Sequence, residues 1–262
     1  MTTFYEDDRA TLHSGDALAV LHELPSGCVD AVVSDPPYSS GGMVRGDRSG
    51  GTVSKYVTSQ NTHRDELVEF TGDNRDQRAY AYWSALWMGE ALRATKPGGI
   101  MIAFTDWRQL PATTDAIQSG GWVWRGIVPW VKPNFRPQSG RFGAQCEYVV
   151  WGSAGPMETD YTLPSLRGFF QGNSPRDREH ITQKPVDVMR ELVKIAPEDG
   201  VILDPFMGSG TTGVAAMLER RKFVGVEMIT HYQQVAERRI REAQGLVVDK
   251  GDQAALDFGG VA

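Results

Sequence analysis

The chain has 262 residues, enough for one large domain, or one domain with a sizeable insertion, around a substantial core. Its 40% hydrophobic and 23% charged residues are those of an ordinary soluble globular protein, and no apolar run approaches the roughly 20 residues of a membrane span. A net charge of −6 argues against non-specific coating of nucleic acid, although the charge is uneven: between Gly120 and Pro185 eight Lys/Arg oppose five Asp/Glu, leaving −9 on the remainder.

The N-terminal segment "MTTFYEDDRA" has no signal-peptide pattern. Cys28 and Cys146 stand far apart outside any CxxC spacing, so they read as reduced thiols of a cytoplasmic protein with no zinc site. Short β-rich runs alternate with helical patterns, which predicts an open, mainly parallel sheet covered by helices. Strands are expected at 10–14, 29–34, 99–105, 122–130, 147–152, 200–204 and 222–227. Helices are expected at Ala17–His22, Ala79–Thr95, Leu110–Ser119, Gln183–Ala196, Gly210–Arg220 and His231–Ala243. Thr182 is placed to cap the fourth of these, with Val186, Met189 and Val193 on its inner face. Thr230 and Gln233 have the spacing of a capping box for the last, whose inner stripe is Tyr232, Val235, Ala236, Ile240 and Ala243. Trp122, Trp124, Trp130 and Trp151 sit in apolar strands and read as core, as do Met88 and Met101. Two stretches, 39–66 and 153–180, have no regular pattern. Phe169 and Phe170, in the second, fit either a wedge into nucleic acid or a small local core. The tail from Gly245 is expected to be frayed or loosely docked.

Two strand ends carry the chemistry. "VVSDPPY" (32–38) ends an apolar run in an acid, two prolines and an aromatic; neither proline can donate to a ladder, so sheet pairing does not explain them. "VILDPFMGSGTTGVAA" (201–216) runs from a strand through a glycine turn into a helix, the arrangement that binds ligands outside the carboxyl ends of parallel strands. A phosphate-binding GxxxxGK[ST] loop is excluded by the missing lysine. Gly208, Gly210 and Gly213 match GxGxxG, a weak signal alone, and Glu227 lies 17 residues after Gly210, where an acid binds ribose hydroxyls. Any adenosine-containing cofactor suits these features.

"DPPY" (35–38) together with "LDPFMGSGTT" (203–212) resembles the DNA amino-methyltransferases, which methylate exocyclic amines with S-adenosylmethionine. The order of the two motifs, with "PWVKP", "EYVVWG" and "HITQKPVDVMRELV" between them, resembles the beta group of that family, a circular permutation of the class I, Rossmann-like methyltransferase sheet. The resemblance spans nearly the whole chain. It implies a catalytic half at 1–152 with a loop at 39–66, a short target-recognition insertion at 153–180, a cofactor-binding half at 181–244, and a tail at 245–262.

For the site, the resemblance implies that Asp35 and the Pro36 carbonyl accept the two amine hydrogens of the target base. Pro37 stiffens the turn, and Tyr38 stacks on a flipped base. Asp204 would lie near the methionine amino group and Phe206 beside the sulfonium. The backbone of Gly208, Ser209, Gly210 and Thr211 would follow the methionine portion, with Glu227 on the ribose and Asp16 and Ala17 at the adenine. Thr182 and Lys184 belong to a segment that holds the methionine carboxylate, with Lys184 as its charge partner; Asp16 also reads as a helix N-cap. Arg45, Arg48, Lys132, Arg136, Arg141, Arg167, Arg176 and Arg178 are the candidate contacts to double-stranded DNA. No metal is implied. The product would be S-adenosylhomocysteine, and the expected assembly is a homodimer in a bacterial or phage-encoded system with a possible companion restriction nuclease. Aspartate at position 35 favours adenine N6 over cytosine N4, whose enzymes usually carry serine there. Carbon-5 chemistry lacks its Pro-Cys nucleophile. RNA or protein-glutamine methylation, and an idle DNA-binding homologue, are the remaining alternatives.

Overall fold

The computed structural model describes residues 1–38, 75–134, 139–140, 142–157, 165–172 and 183–258, with side chains to 247. Nine strands form one sheet in the order β1-β2-β9-β8-β3-β4-β6-β5-β7. They are β1 (Thr2–Glu6), β2 (Ala10–Ser14), β3 (Val29–Ser34), β4 (Thr95–Thr105), β5 (Val123–Val131), β6 (Cys146–Ser153), β7 (Phe170–Gln171), β8 (Val201–Asp204) and β9 (Lys222–Glu227). Strands β2, β9, β8, β3 and β4 are parallel; β1 and β6 join antiparallel, β5 pairs antiparallel with β6, and β7 runs parallel to β5. The described residues form six helices beside these nine strands: α1 (Ala17–Glu23), α2 (Gln77–Ala94), α3 (Leu110–Ser119), α4 (Val186–Val193), α5 (Thr211–Leu218) and α6 (Thr230–Phe258).

A sheet covered on both faces needs strands apolar on both faces, and β3 satisfies this, with Val29, Ala31, Val32 and Val33 all buried. Alternate residues serve opposite cores. Ala31 and Val33 join Ile100, Ile102 and Ile202 against α4, α5 and α6; Val32 joins Met101, Ala103 and Leu203 against α1, α2 and α3. This is the mixed, mostly parallel α/β architecture that the strand pattern predicts. The chain leaves β3 through α2 toward β4 on one side, and leaves β8 through α5 toward β9 on the other. Because β3 and β8 are neighbours, their carboxyl ends open a crevice at a topological switch point.

Several local expectations are corrected. Helix α4 begins only at Val186, because Pro185 is its N-cap with extended backbone (ψ 132°), and its buried face is Val188, Met189, Leu192 and Val193. Thr182 lies outside the described residues. Helix α6 continues well beyond Ala243 to Phe258, so no frayed tail begins at Gly245. Gln233 does not close a capping box: its Nε2 donates to Ser14 Oγ (2.8 Å) and to the Glu227 carbonyl (2.9 Å), stitching α6 to the ends of β2 and β9. Tyr232, Ala236, Ile240 and Ala243 are buried as predicted. Trp122 and Trp130 are core, but Trp124 is 42% exposed, since β7 covers β5 only opposite Trp130 and Val131. Phe170 enters the core on β7, and Phe169 faces outward. Strand β1 escaped the pattern because every residue in it keeps some exposure.

Gly210 holds the turn into α5 at φ +79°, and a Cβ there would sit 2.9 Å from the Ala236 Cβ and 3.0 Å from its Cα. Gly210→Ala should therefore cost about 2–4 kcal/mol, combining left-handed strain with overpacking against α6. Urea unfolding checks this; a loss below about 0.5 kcal/mol would mean that the helix contact is loose.

Candidate active site

The crevice is lined by Gly15, Asp16 and Ala17 after β2, residues 35–38 after β3, residues 204–209 after β8, and residues 226–229 around the end of β9. Thr211, Thr212, Lys184 and Tyr232 complete much of its wall. Sequence reasoning therefore placed Asp16, Ala17, Asp35, Pro36, Pro37, Tyr38, Lys184, Asp204, Phe206, Gly208, Ser209, Thr211 and Glu227 in one cavity, although they come from opposite ends of the chain. Gly210 is not part of the wall and faces α6 instead.

The two motifs are joined directly. Ser34 Oγ donates to Asp204 Oδ1 (2.7 Å), Thr212 Oγ1 donates to Oδ2 (2.6 Å), and the Phe206 N–H donates to Oδ1 (3.0 Å). Burial nevertheless dominates, and pushes the Asp204 carboxyl up to about 6. Glu227 is held similarly: Oε2 accepts from the Gly208 N–H (3.0 Å) and Oε1 from the Ile229 N–H (2.8 Å), while burial raises its pKa. Asp16 caps α1 by accepting from the Ala19 N–H (3.1 Å) and also lines the cavity. Ser14 and Glu227 are register partners, which brings Asp16 and Glu227 to one end of the crevice.

The glycine turn is braced from outside. Arg239 of α6 donates to the Ser209 carbonyl (2.5 Å), to Ser209 Oγ (3.0 Å) and to Thr211 Oγ1 (3.3 Å). Phe206 packs against Trp83 and Trp87 of α2 at ring distances of 5.3 and 5.2 Å, and the Arg75 guanidinium lies 4.0 Å over Trp83. Arg75 and Trp83 line the cavity, and no local motif announced them.

The charge arrangement around Asp35 departs from expectation. The Lys184 ammonium is buried and donates to Asp35 Oδ2 (2.6 Å), with Glu147 Oε2 and Tyr38 OH both at 3.4 Å. Lys184 is thus committed to two carboxylates of the protein, instead of standing free for a cofactor carboxylate. Lys132, expected to face DNA, is paired with the other Glu147 oxygen and lies 4.5 Å over the Trp130 ring. Glu147 was missed because a glutamate opening an apolar strand reads as a solvated strand end. Asp35 Oδ1 is buried and has no hydrogen-bond partner among the described residues. Arg167 is exposed; Arg45, Arg48, Arg136, Arg141, Arg176 and Arg178 lie outside the described residues, as does Thr182. Among the described residues no acidic, histidine or cysteine cluster is suited to a metal, and no helix is long and apolar enough to cross a membrane.

The architecture is the class I methyltransferase fold, and solved structures share it. The M1.HpyAVI–SAM complex aligns at a TM-score of 0.60 and 22% identity, covering 88% of this chain and 98% of that one. The cytosine-N4-specific PvuII DNA methyltransferase aligns at 0.65 and 17% identity, covering 94% of both. The DNA methylase family (N6_N4_Mtase) matches residues 29–238, and the chain belongs to it. The Type II methyltransferase M2.LlaDCHI of Lactococcus lactis subsp. cremoris is 25% identical over 260 residues, spanning 91% of this chain and 92% of its relative.

The raised Asp204 pKa has a stability consequence. The folded state holds this proton more tightly than the unfolded chain, where an aspartate titrates near ~3.9. The group therefore favours folding at low pH and loses that contribution as pH rises through about 6. Relative to the parent, Asp204→Asn should gain about 2 kcal/mol of unfolding free energy between about pH 4.5 and pH 7. Paired urea titrations across that range would show it; a pH-independent difference would place the Asp204 pKa near its ordinary value.

Proposed function

We propose that this DNA methylase is a site-specific methyltransferase that uses S-adenosylmethionine to methylate adenine N6 of a base flipped out of duplex DNA. The observation that carries the reading is the buried, unpartnered Asp35 Oδ1, at the switch point beside the Asp204 and glycine-turn end of the cavity. A buried acceptor without a donor costs free energy unless a ligand supplies one, and an exocyclic amine is such a donor.

The residues present suit the cofactor. Glu227 and Asp16 offer acceptors to ribose hydroxyls and an adenine amine. Asp204 suits an ammonium, and the Gly208–Thr211 turn at the start of α5 suits a carboxylate. Bound there, S-adenosylmethionine supplies an electrophilic methyl group on a sulfonium.

The chain's own work lies on the base side. An aromatic amine is a poor nucleophile because its lone pair is delocalised into the ring. Asp35 Oδ1 and the Pro36 carbonyl accept its two hydrogens and favour a pyramidal nitrogen with an available lone pair. The fixed φ of Pro36 and Pro37 holds those acceptors in place before the base arrives, so little reorganisation accompanies the growth of positive charge on nitrogen. Tyr38, also on the cavity wall, offers its ring face, and stacking of about 1–3 kcal/mol per base offsets part of the unstacking cost. Arg167 and the arginines of 39–66 and 135–180 are proposed to meet phosphates, with 153–180 as the recognition segment and a second copy adding DNA contacts. Aspartate at position 35 supports adenine over cytosine.

Incubation with radiolabelled S-adenosylmethionine and mixed-sequence duplex DNA, followed by nucleoside analysis, should yield N6-methyladenine. N4-methylcytosine would move the assignment to the other base, and unlabelled DNA would refute the activity. Asp35→Ala should lower transfer at least ~100-fold, with cofactor affinity within about threefold of the parent. Transfer at the parental rate by that variant would remove Asp35 from the reaction.

A further inference from the structure

The network behind Asp35 is built of residues that the amine-binding scheme does not use. Lys184 arrives from the segment before α4, Glu147 from the start of β6, and Lys132 from just beyond β5. They form one chain of charge, Asp35–Lys184–Glu147–Lys132, running from the cavity to a lysine that keeps 25% of its side chain exposed. Tyr38 closes it sideways, its OH donating to Glu147 Oε2 at 3.4 Å. The Lys184 ammonium also lies 5.5 Å over the Tyr38 ring and 5.1 Å over that of Phe104. Two carboxylates and two ammonium groups balance, so the cluster carries no net charge into a poorly solvated site.

We propose, resting on the methyl-transfer reading above, that Lys184 and Glu147 are positioning residues for Asp35: they fix its orientation and keep it an ionised acceptor. With Oδ2 taken by Lys184, only Oδ1 is open to substrate, so the carboxylate presents a single lone-pair edge to the amine. Glu147 sets how fully Lys184 engages Asp35, since it competes for the same ammonium. The charged groups facing Asp35 are Lys184, Glu147 and Lys132, with Asp204 across from β8. Burial drives Asp35 toward its neutral form; Lys184 and Lys132 oppose this, while Glu147 adds to it.

The two members should therefore shift the reaction in opposite directions. Lys184→Met should move the acidic limb of the single-turnover rate profile upward by about one to three pH units, costing roughly tenfold in rate per unit below the limb. Much of the rate should return at alkaline pH. Lys184→Arg should restore most of the parental profile, and Glu147→Gln should move the limb to lower pH. S-adenosylmethionine affinity, read by calorimetry, should stay within about threefold in all of them. Loss of cofactor affinity in Lys184→Met without movement of the limb would overturn the proposal and return Lys184 to the cofactor.

The ion pair can also be read without turnover, from the ¹³Cγ titration of Asp35 in ligand-free protein. A parent that methylates nothing, but whose Asp35 titration rises in Lys184→Met and falls in Glu147→Gln, would refute the function and keep the pairing. An active parent whose Asp35 titration ignores both substitutions would refute the pairing alone. Should Lys184→Met fail to fold, the Glu147→Gln titration decides: a fall supports the proposal, and no movement or a rise overturns it.

Discussion

The hydrogen bond from Ser34 to Asp204 joins the two halves of the site. It ties the last residue of β3 to the last residue of β8, and each is the doorstep of one motif. On one side the chain turns immediately into Asp35 and the prolines; on the other it turns into Phe206 and the glycines. The register of two parallel strands, set by Ala31 against Ile202 and Val32 against Leu203, fixes that spacing. The spacing between the Asp-Pro-Pro-Tyr turn and the glycine turn is thus set by sheet pairing in the core. Residues 170 positions apart are held by a bond that costs no loop ordering of its own.

Around that bond the molecule divides its labour by element. The ends of β2 and β9 present acids, the start of α5 presents backbone N–H groups, and α6 braces the glycine turn through Arg239. Helix α2 brings Trp83 and Trp87 against Phe206, so one wall is aromatic and rigid. The far side, formed by β6 and the segment before α4, supplies the buried ions. Two hydrophobic clusters, one on each face of the sheet, support these walls, and Trp83 packs against both.

Much of this was legible in the sequence because the informative residues are local. Asp-Pro-Pro-Tyr behind an apolar run, and a glycine turn between strand and helix, declare strand ends without reference to anything distant. The parallel strands were equally readable, since Val29, Ala31, Val32 and Val33 put apolar side chains on both faces of β3. What escaped was non-local. Lys184 was picked out for a cofactor carboxylate, but its pairing with Glu147, 37 positions away, has no local signal and appears only once the chain is folded. Lys132 read as a surface cation because its partner lay across a strand pair. The open side of β5 depends on how little of it β7 covers, and a two-residue strand leaves almost no pattern.

The resting protein keeps Asp35 Oδ1 out of water with no donor, a cost borne in every molecule whether or not substrate is near. Removing the acid would not simply recover that cost: a neutral or apolar residue at position 35 would leave the buried Lys184 ammonium without its 2.6 Å partner, and breaking a buried ion pair is the larger penalty. Asp35 is therefore retained by the lysine behind it as well as by any demand of turnover. On the methyl-transfer reading proposed above, the amine of an arriving base would supply the donor that the folded chain leaves out.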